Sequence, residues 1–144
     1  MKTSLIDYKI FKVEDVLSVA PCKGNNKKHL FINIVEKPGV EITLDFVTKV
    51  LSAVNHDIND DCVVLVQTAP YLFRDILQQY NCTKAIFFGQ RPTNIGLNVD
   101  TKFYAPMHLL DCELLFAYPL SMIEQDAAQK KLLWDAMKIM FAVA

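Results

Sequence analysis

The sequence predicts an α/β domain: three layers, α/β/α, built on a mainly parallel four-stranded sheet. Three observations lead there. Short, continuous apolar runs at Leu30–Val35, Cys62–Gln67 and Ala85–Phe88 match strands buried on both faces. Segments with helical spacing of apolar residues separate them. The order strand, helix, strand, helix, strand, strand, helix is that of alternating βα units, whose right-handed crossovers place helices on both faces of one sheet.

Each element has its own warrant. Leu30–Val35 is β-branched and aromatic, lies after Lys27-Lys28-His29, and ends at Glu36-Lys37-Pro38-Gly39, a turn sequence. Asn33 is a polar exception inside it, expected to hydrogen-bond at the sheet. From Leu44 to Asn55, residues Leu44, Val47, Val50, Leu51 and Val54 share one helical face, with Thr43 as N-cap. Cys62–Gln67 is the second strand. Thr68 and Pro70 suit the cap and first turn of a second helix carrying Leu72, Phe73, Ile76, Leu77 and Tyr80 and closing at Asn81. The third strand ends at Gly89. Residues 90–101 contain Pro92, Asn94, Gly96 and Asn98 and read as a loop. Met107–Leu110 and Leu114–Tyr118 flank Asp111-Cys112-Glu113 and form either a hairpin or one bent strand. The last helix runs from about Asp126 to Phe141.

Residues 29–144 are expected to form the core of one domain spanning 1–144. Residues 1–28 are an N-terminal extension or first elements, and Gly24–Lys28 reads as a linker.

Composition bounds the function. The chain has 144 residues, 52% of them hydrophobic and only 4 of them Gly, so it can bury a core. Its net charge of -1 supplies no bulk field that would draw nucleic acid, so DNA contact would need a local patch. No apolar run approaches the roughly 20 residues of a membrane span, and the N-terminal residues lack the pattern of a signal peptide. A soluble, cytoplasmic protein is expected. Cys22, Cys62, Cys82 and Cys112 form no C-x-x-C pair, so neither a metal nor any other cofactor is expected. Cys62 and Cys112 read as small buried hydrophobes.

In parallel sheets ligands gather at the C-terminal strand ends. Those ends are Glu36–Glu41, Gln67–Pro70, Gly89–Asn94 and Tyr118–Ser121. Glu36 stands at one of these ends, in a strand-to-helix turn whose flanking acids are simply solvated on the plainer reading. The three histidines, His29, His56 and His108, fall away from these ends and read as surface or structural residues. On the last helix, Lys130, Lys131 and Trp134 could contact a partner. Alternatively, the lysines are a solvated first turn and Trp134 packs on a neighbouring loop.

The chain from Phe116-Ala-Tyr-Pro-Leu-Ser-Met-Ile123 into Gln129-Lys-Lys-Leu-Leu-Trp134 resembles the C-terminal end of the uracil-DNA glycosylase superfamily. There a His-Pro turn meets the flipped base; here Tyr118-Pro119 stands in its place. Glu36-Lys-Pro-Gly-Val-Glu41 is similar to the Gly-Glu-Ala-Pro-Gly-x-x-Glu motif of that superfamily's iron–sulfur class, with Val35 replacing the first Gly. Gln67 and Thr68 occupy the strand end where the family often has Asn, and Phe87-Phe88-Gly89 resembles its third strand ending. The resemblance implies Glu36 and Tyr118 as catalytic candidates. It implies a ligand site from Pro38, Gly39, Gln67, Thr68, Gly89, Pro119 and Ser121. Excising a base requires a group to position water and a donor to receive the departing base anion. A phenol in place of imidazole argues against inherited catalysis.

Residues 84–141 also resemble the psi subunit family of the bacterial DNA polymerase III clamp loader, which has this fold without glycosylase activity. In both, a Pro turn and an acidic spacer lead to a Leu-Trp helix, here Pro119 to Asp126 and then Leu133-Trp134. The resemblances together imply a non-catalytic accessory protein contacting a replisome or repair partner through Lys130, Lys131 and Trp134. Two alternatives stay open: a divergent DNA glycosylase excising a damaged base, and a small nucleotide-binding module.

Overall fold

The computed structural model describes residues 24–36, 39, 42, 44–66, 71–99, 102–109 and 111–141. The described chain forms five strands and four α-helices. They are β1 (Leu30–Ile34), α1 (Asp45–Ala53), β2 (Cys62–Val66), α2 (Phe73–Gln79), β3 (Lys84–Phe88), β4 (Met107–Leu109), β5 (Cys112–Ala117), α3 (Leu120–Glu124) and α4 (Ala127–Met140).

The sheet order is β2-β1-β3-β5-β4. The first four strands run parallel, with Ile32 opposite both Val64 and Ile86, and Phe87 opposite Phe116. β4 runs antiparallel to β5, His108 opposite Glu113. The expectation of a mainly parallel four-stranded sheet is therefore corrected: the sheet has five strands and is mixed. The open choice between a bent strand and a hairpin resolves as a hairpin. Its turn residue Asp111 adopts φ 63°, a left-handed conformation that Asp tolerates better than most side chains. β4 is short and half-exposed, with Met107 and Leu109 partly buried and His108 exposed.

Side chains alternate between two cores because strand Cβ atoms point to opposite faces. On one face Ile32, Ile34, Val64, Ile86, Phe88 and Leu115 pack against α1, α3 and α4 through Val47, Leu51, Ile123, Leu133 and Met137. On the other, Phe31, Leu65, Phe87 and Phe116 meet Phe73 and Ile76 of α2, and Ile95 of the short 3₁₀ turn Pro92–Ile95. Phe87 stacks on Phe116 with ring centres 4.7 Å apart and meets Phe73 edge-on at 5.3 Å. The three-layer α/β/α arrangement follows from these two cores.

Several expected boundaries shift. Gly24–Lys28 is not a linker: its backbone is pinned to the loop before β2, Asn25 N donating to Asn59 O at 2.8 Å and Lys27 N to Asp60 O at 2.8 Å. A Cβ on Gly24 would lie 2.0 Å from the Cys62 carbonyl oxygen, so only Gly permits that approach. α1 begins one residue after Leu44, and Thr48 Oγ1 donates back to the Leu44 carbonyl at 2.6 Å. α2 begins at Phe73 and ends before Tyr80, short of Asn81. The expected caps Thr43 and Thr68, and Pro70 and Cys22, lie outside the described residues. The spacer after Pro119 forms α3, a single helical turn. The last helix matches its expected span, with Asp126 as N-cap accepting from Ala128 N at 2.9 Å and Gln129 N at 3.4 Å, a contact worth about 1 kcal/mol.

Candidate functional site

Strand order reverses between β1 and β3, which makes the C-terminal ends of these two strands the topological switch point. Glu36 stands there, two residues past β1, and is only 8% exposed. Its Oε2 accepts from the backbone N–H of Ser121 at 2.8 Å, and its Oε1 from the Ser121 hydroxyl at 2.9 Å. Ser121 lies in α3, beyond the end of β5, so this pair ties the end of β1 to the far side of β3.

Gly89 makes that reach possible. It adopts φ 84°, and a Cβ there would sit 2.3 Å from the Val35 carbonyl oxygen and 3.5 Å from Pro119 Cγ. Val35 N donates to Phe88 O and Gly89 N to Ala117 O, each at 2.9 Å, so three strand ends are stitched in a row. Gly89, Pro119 and Ser121 are thus brought together with Glu36, as parts of one closed contact.

The opposite face of the switch point is also filled. Asn33 is fully buried; its Nδ2 donates to Leu65 O at 3.0 Å. Its Oδ1 accepts from the Tyr71 hydroxyl at 2.7 Å and from Gln90 Nε2 at 3.1 Å. Gln90 Oε1 in turn accepts from Asn94 Nδ2 at 3.1 Å. The expectation that Asn33 hydrogen-bonds at the sheet holds. The roles of Tyr71, Gln90 and Asn94 were not legible, although a polar residue interrupting an apolar strand signals that buried partners must exist.

An open cavity of about 410 Å³ lies one strand further along, beside β5. Tyr118 lines it with Arg91, Lys102, Phe103, Tyr104 and Gln129, while Glu36, Gly89, Pro119 and Ser121 are not among its described lining. Glu36 is thus not among the described lining of the cavity that Tyr118 lines. The Tyr118 ring lies 4.4 Å from that of Phe103, inclined by 34°, and 6.0 Å from that of Tyr104. The Arg91 guanidinium sits over the Phe103 ring, 5.3 Å from its centre. The Tyr104 hydroxyl donates to Gln129 Oε1 at 2.7 Å. Burial pushes the Tyr104 phenol up to about 12, so it keeps its proton near neutral pH. Tyr104 also adopts φ 64°, a conformation that costs a bulky residue roughly 1–3 kcal/mol. The cavity's residues come from four segments, of which the sequence pointed to two strand ends, Gly89–Asn94 through Arg91 and Pro92, and Tyr118–Ser121 through Tyr118.

The remaining expected site residues separate. Pro38, Gln67 and Thr68 lie outside the described residues, and Gly39 is exposed after β1. Lys130 and Lys131 are exposed on α4, whereas Trp134 is half-buried against the core on that face. Leu132 and Ile139 of the same helix are 47% and 70% exposed. His56 packs edge-on against Phe141 at 4.8 Å, and His108 is exposed on the edge strand. Burial raises the thiols of Cys62 and Cys112 to about 12, which leaves them unreactive as nucleophiles. Among the described residues no group of His, Cys, Asp or Glu could hold a metal ion, and no helix is long and apolar enough to cross a membrane.

No protein-family model matches this chain, and no curated protein matches it either.

Proposed function

We propose that this chain is a non-catalytic accessory protein with a uracil-DNA glycosylase-like fold, acting as a psi-like subunit of a DNA polymerase III clamp loader. One observation carries the non-catalytic part: both oxygens of Glu36 accept hydrogen bonds from Ser121. A carboxylate that positions water for base excision must face the substrate, and this one faces a helical turn of its own chain. Tyr118, at the resemblance's His position, lines a cavity whose described lining does not include Glu36. The clamp-loader part rests on the resemblance of residues 84–141. It also rests on α4, which exposes Lys130, Lys131, Leu132 and Ile139.

Two measurements test the reading. Purified protein incubated with uracil-containing single- and double-stranded DNA is expected to release no base above the buffer control; enzyme-like release that Glu36→Gln abolishes overturns the non-catalytic role. Tagged protein from its native cell is expected to co-purify clamp-loader subunits, and Lys130→Glu with Lys131→Glu is expected to weaken that capture. Recovery without any clamp-loader subunit overturns the assignment of partner.

A further inference from the structure

We propose that a second copy of this chain docks on the outer flank of α4, the two helices packing antiparallel about a two-fold axis. This goes beyond the accessory role and does not depend on it.

α4 buries Leu133, Ala136, Met137 and Met140 against the core. One flank beside that buried face is also taken: Trp134 and Phe141 pack on the core there. The other flank is open. It carries Leu132, 47% exposed, and Ile139, at 70% the most exposed large apolar side chain among the described residues. Seven residues fall within about 20° of two full helical turns, so these two side chains lie in one row along the helix. The partly buried Asp135 stands between them, three residues after Leu132 and four before Ile139. Lys131 and Lys138 border the row on the side of Asp135. None of these three charges is in an ion pair among the described residues.

Single exposed apolar residues are ordinary, but a row of them bordered by unpaired charges of both signs is a pattern that a matching surface can answer. Its own reverse matches it. A two-fold axis passing between Asp135 and Ala136 sets Leu132 against the second copy's Ile139, and Ile139 against its Leu132. Both exposed side chains then leave water. Asp135 comes within about two residues, roughly 3 Å along the axis, of the level of the second copy's Lys138, and the symmetry makes that contact twice. A two-fold of this kind keeps each border of the row on its own side, so Asp135 and Lys138, which share a border, meet. Parallel packing in register would instead set Asp135 against Asp135 and lysine against lysine, which is repulsive. A wholly acidic partner would answer the lysines and leave Asp135 opposed. The helices overlap over about ten residues, roughly 15 Å, so the interface belongs to the small, transient class, with a Kd of about 10 µM to 1 mM. The clamp-loader reading also draws on Leu132 and Ile139, so a second copy and a clamp-loader subunit would compete for this row.

The test is sedimentation equilibrium of the purified full chain across that concentration range. A reversible monomer–dimer equilibrium is expected. Leu132 also borders the Tyr118 cavity, so Ile139 is the cleaner position to vary. Ile139→Lys should weaken association at least about tenfold with unchanged circular dichroism. Asp135→Lys and Lys138→Asp should each weaken it about threefold or more, and the two together should recover most of that loss, a rescue that only an antiparallel contact between the two positions gives. Monomer mass across the whole range overturns the proposal. So does association indifferent to Ile139→Lys, open-ended growth beyond the dimer, or a double charge exchange weaker than either single one. The purified chain contains no clamp-loader subunit, so these outcomes and those of the co-purification are independent and the two proposals fail separately.

Discussion

The two ends of interest on this sheet sit side by side and differ in one physical respect. At the β1–β3 switch point the polar groups seen there pair with the protein's own: Glu36 with Ser121, and Asn33 with Tyr71 and Gln90. Beside β5, Tyr118, Phe103 and Arg91 meet a cavity of about 410 Å³. Strand order alone points to the first region as the ligand site. There the described polar side chains pair with one another, while a concave surface lies one strand further out. A fold's topology thus offers a location for chemistry, and the local hydrogen bonding decides whether that location stays available.

The sharpest way to break the comparison is at Gly89. Gly89→Ala puts a methyl group 2.3 Å from the Val35 carbonyl oxygen at φ 84°. Left-handed strain of roughly 1–2 kcal/mol plus overpacking of roughly 1–3 kcal/mol predicts a loss of about 2–5 kcal/mol in urea unfolding. A loss below about 1 kcal/mol would show that the strand ends are not held in close approach.

Glu36→Gln probes the same closure more gently. The amide keeps one acceptor oxygen for Ser121 and gives up the other, for an expected loss of about 1–3 kcal/mol. A stability equal to the parent chain's would mean the Ser121 contacts contribute nothing, and the contrast between the two regions would fall.

A third effect appears in alkali. The Tyr104 phenol is raised from 10.0 to about 12 in the folded chain, so the folded state holds its proton longer than the unfolded state. Its contribution to stability is full below about pH 10 and is lost as pH rises toward 12. Cys62 and Cys112, raised from 9.0 to about 12, act in the same direction from pH 9 upward. Unfolding measured over pH 8–12 should show this decline. Tyr104→Phe should flatten its upper part, and an unchanged slope in that variant would remove Tyr104 as a contributor.

The legible part of this molecule was local. The apolar runs of β1, β2 and β3 announced themselves because strands buried on both faces have no polar alternation. α4 announced its length, since the apolar spacing after Asp126 acts between near neighbours in sequence. Asn33 announced an unnamed partner. β4 announced itself only as one arm of a hairpin or of a bent strand, because three residues at a half-exposed edge produce no period to decide between them. α3 was hidden for a similar reason, its single turn being too short for helical spacing to emerge.

Glu36 shows the limit most clearly. Sequence pattern placed it at a strand end and left open whether it serves a turn or a reaction. Its partner Ser121 is 85 residues away, and no periodicity reports a contact at that separation. The sequence by itself determined the βα alternation, the two-faced burial of the central strands, the span of the last helix and the absence of a bulk charge. These follow from hydrophobic spacing and short-range hydrogen bonding, which act between neighbours along the chain. Only the tertiary structure decided that β4 joins as an antiparallel edge, that Glu36 closes onto Ser121, and that Arg91, Phe103, Tyr118 and Gln129 surround one cavity. Each depends on which distant segments the packed sheet brings within a few ångströms of one another.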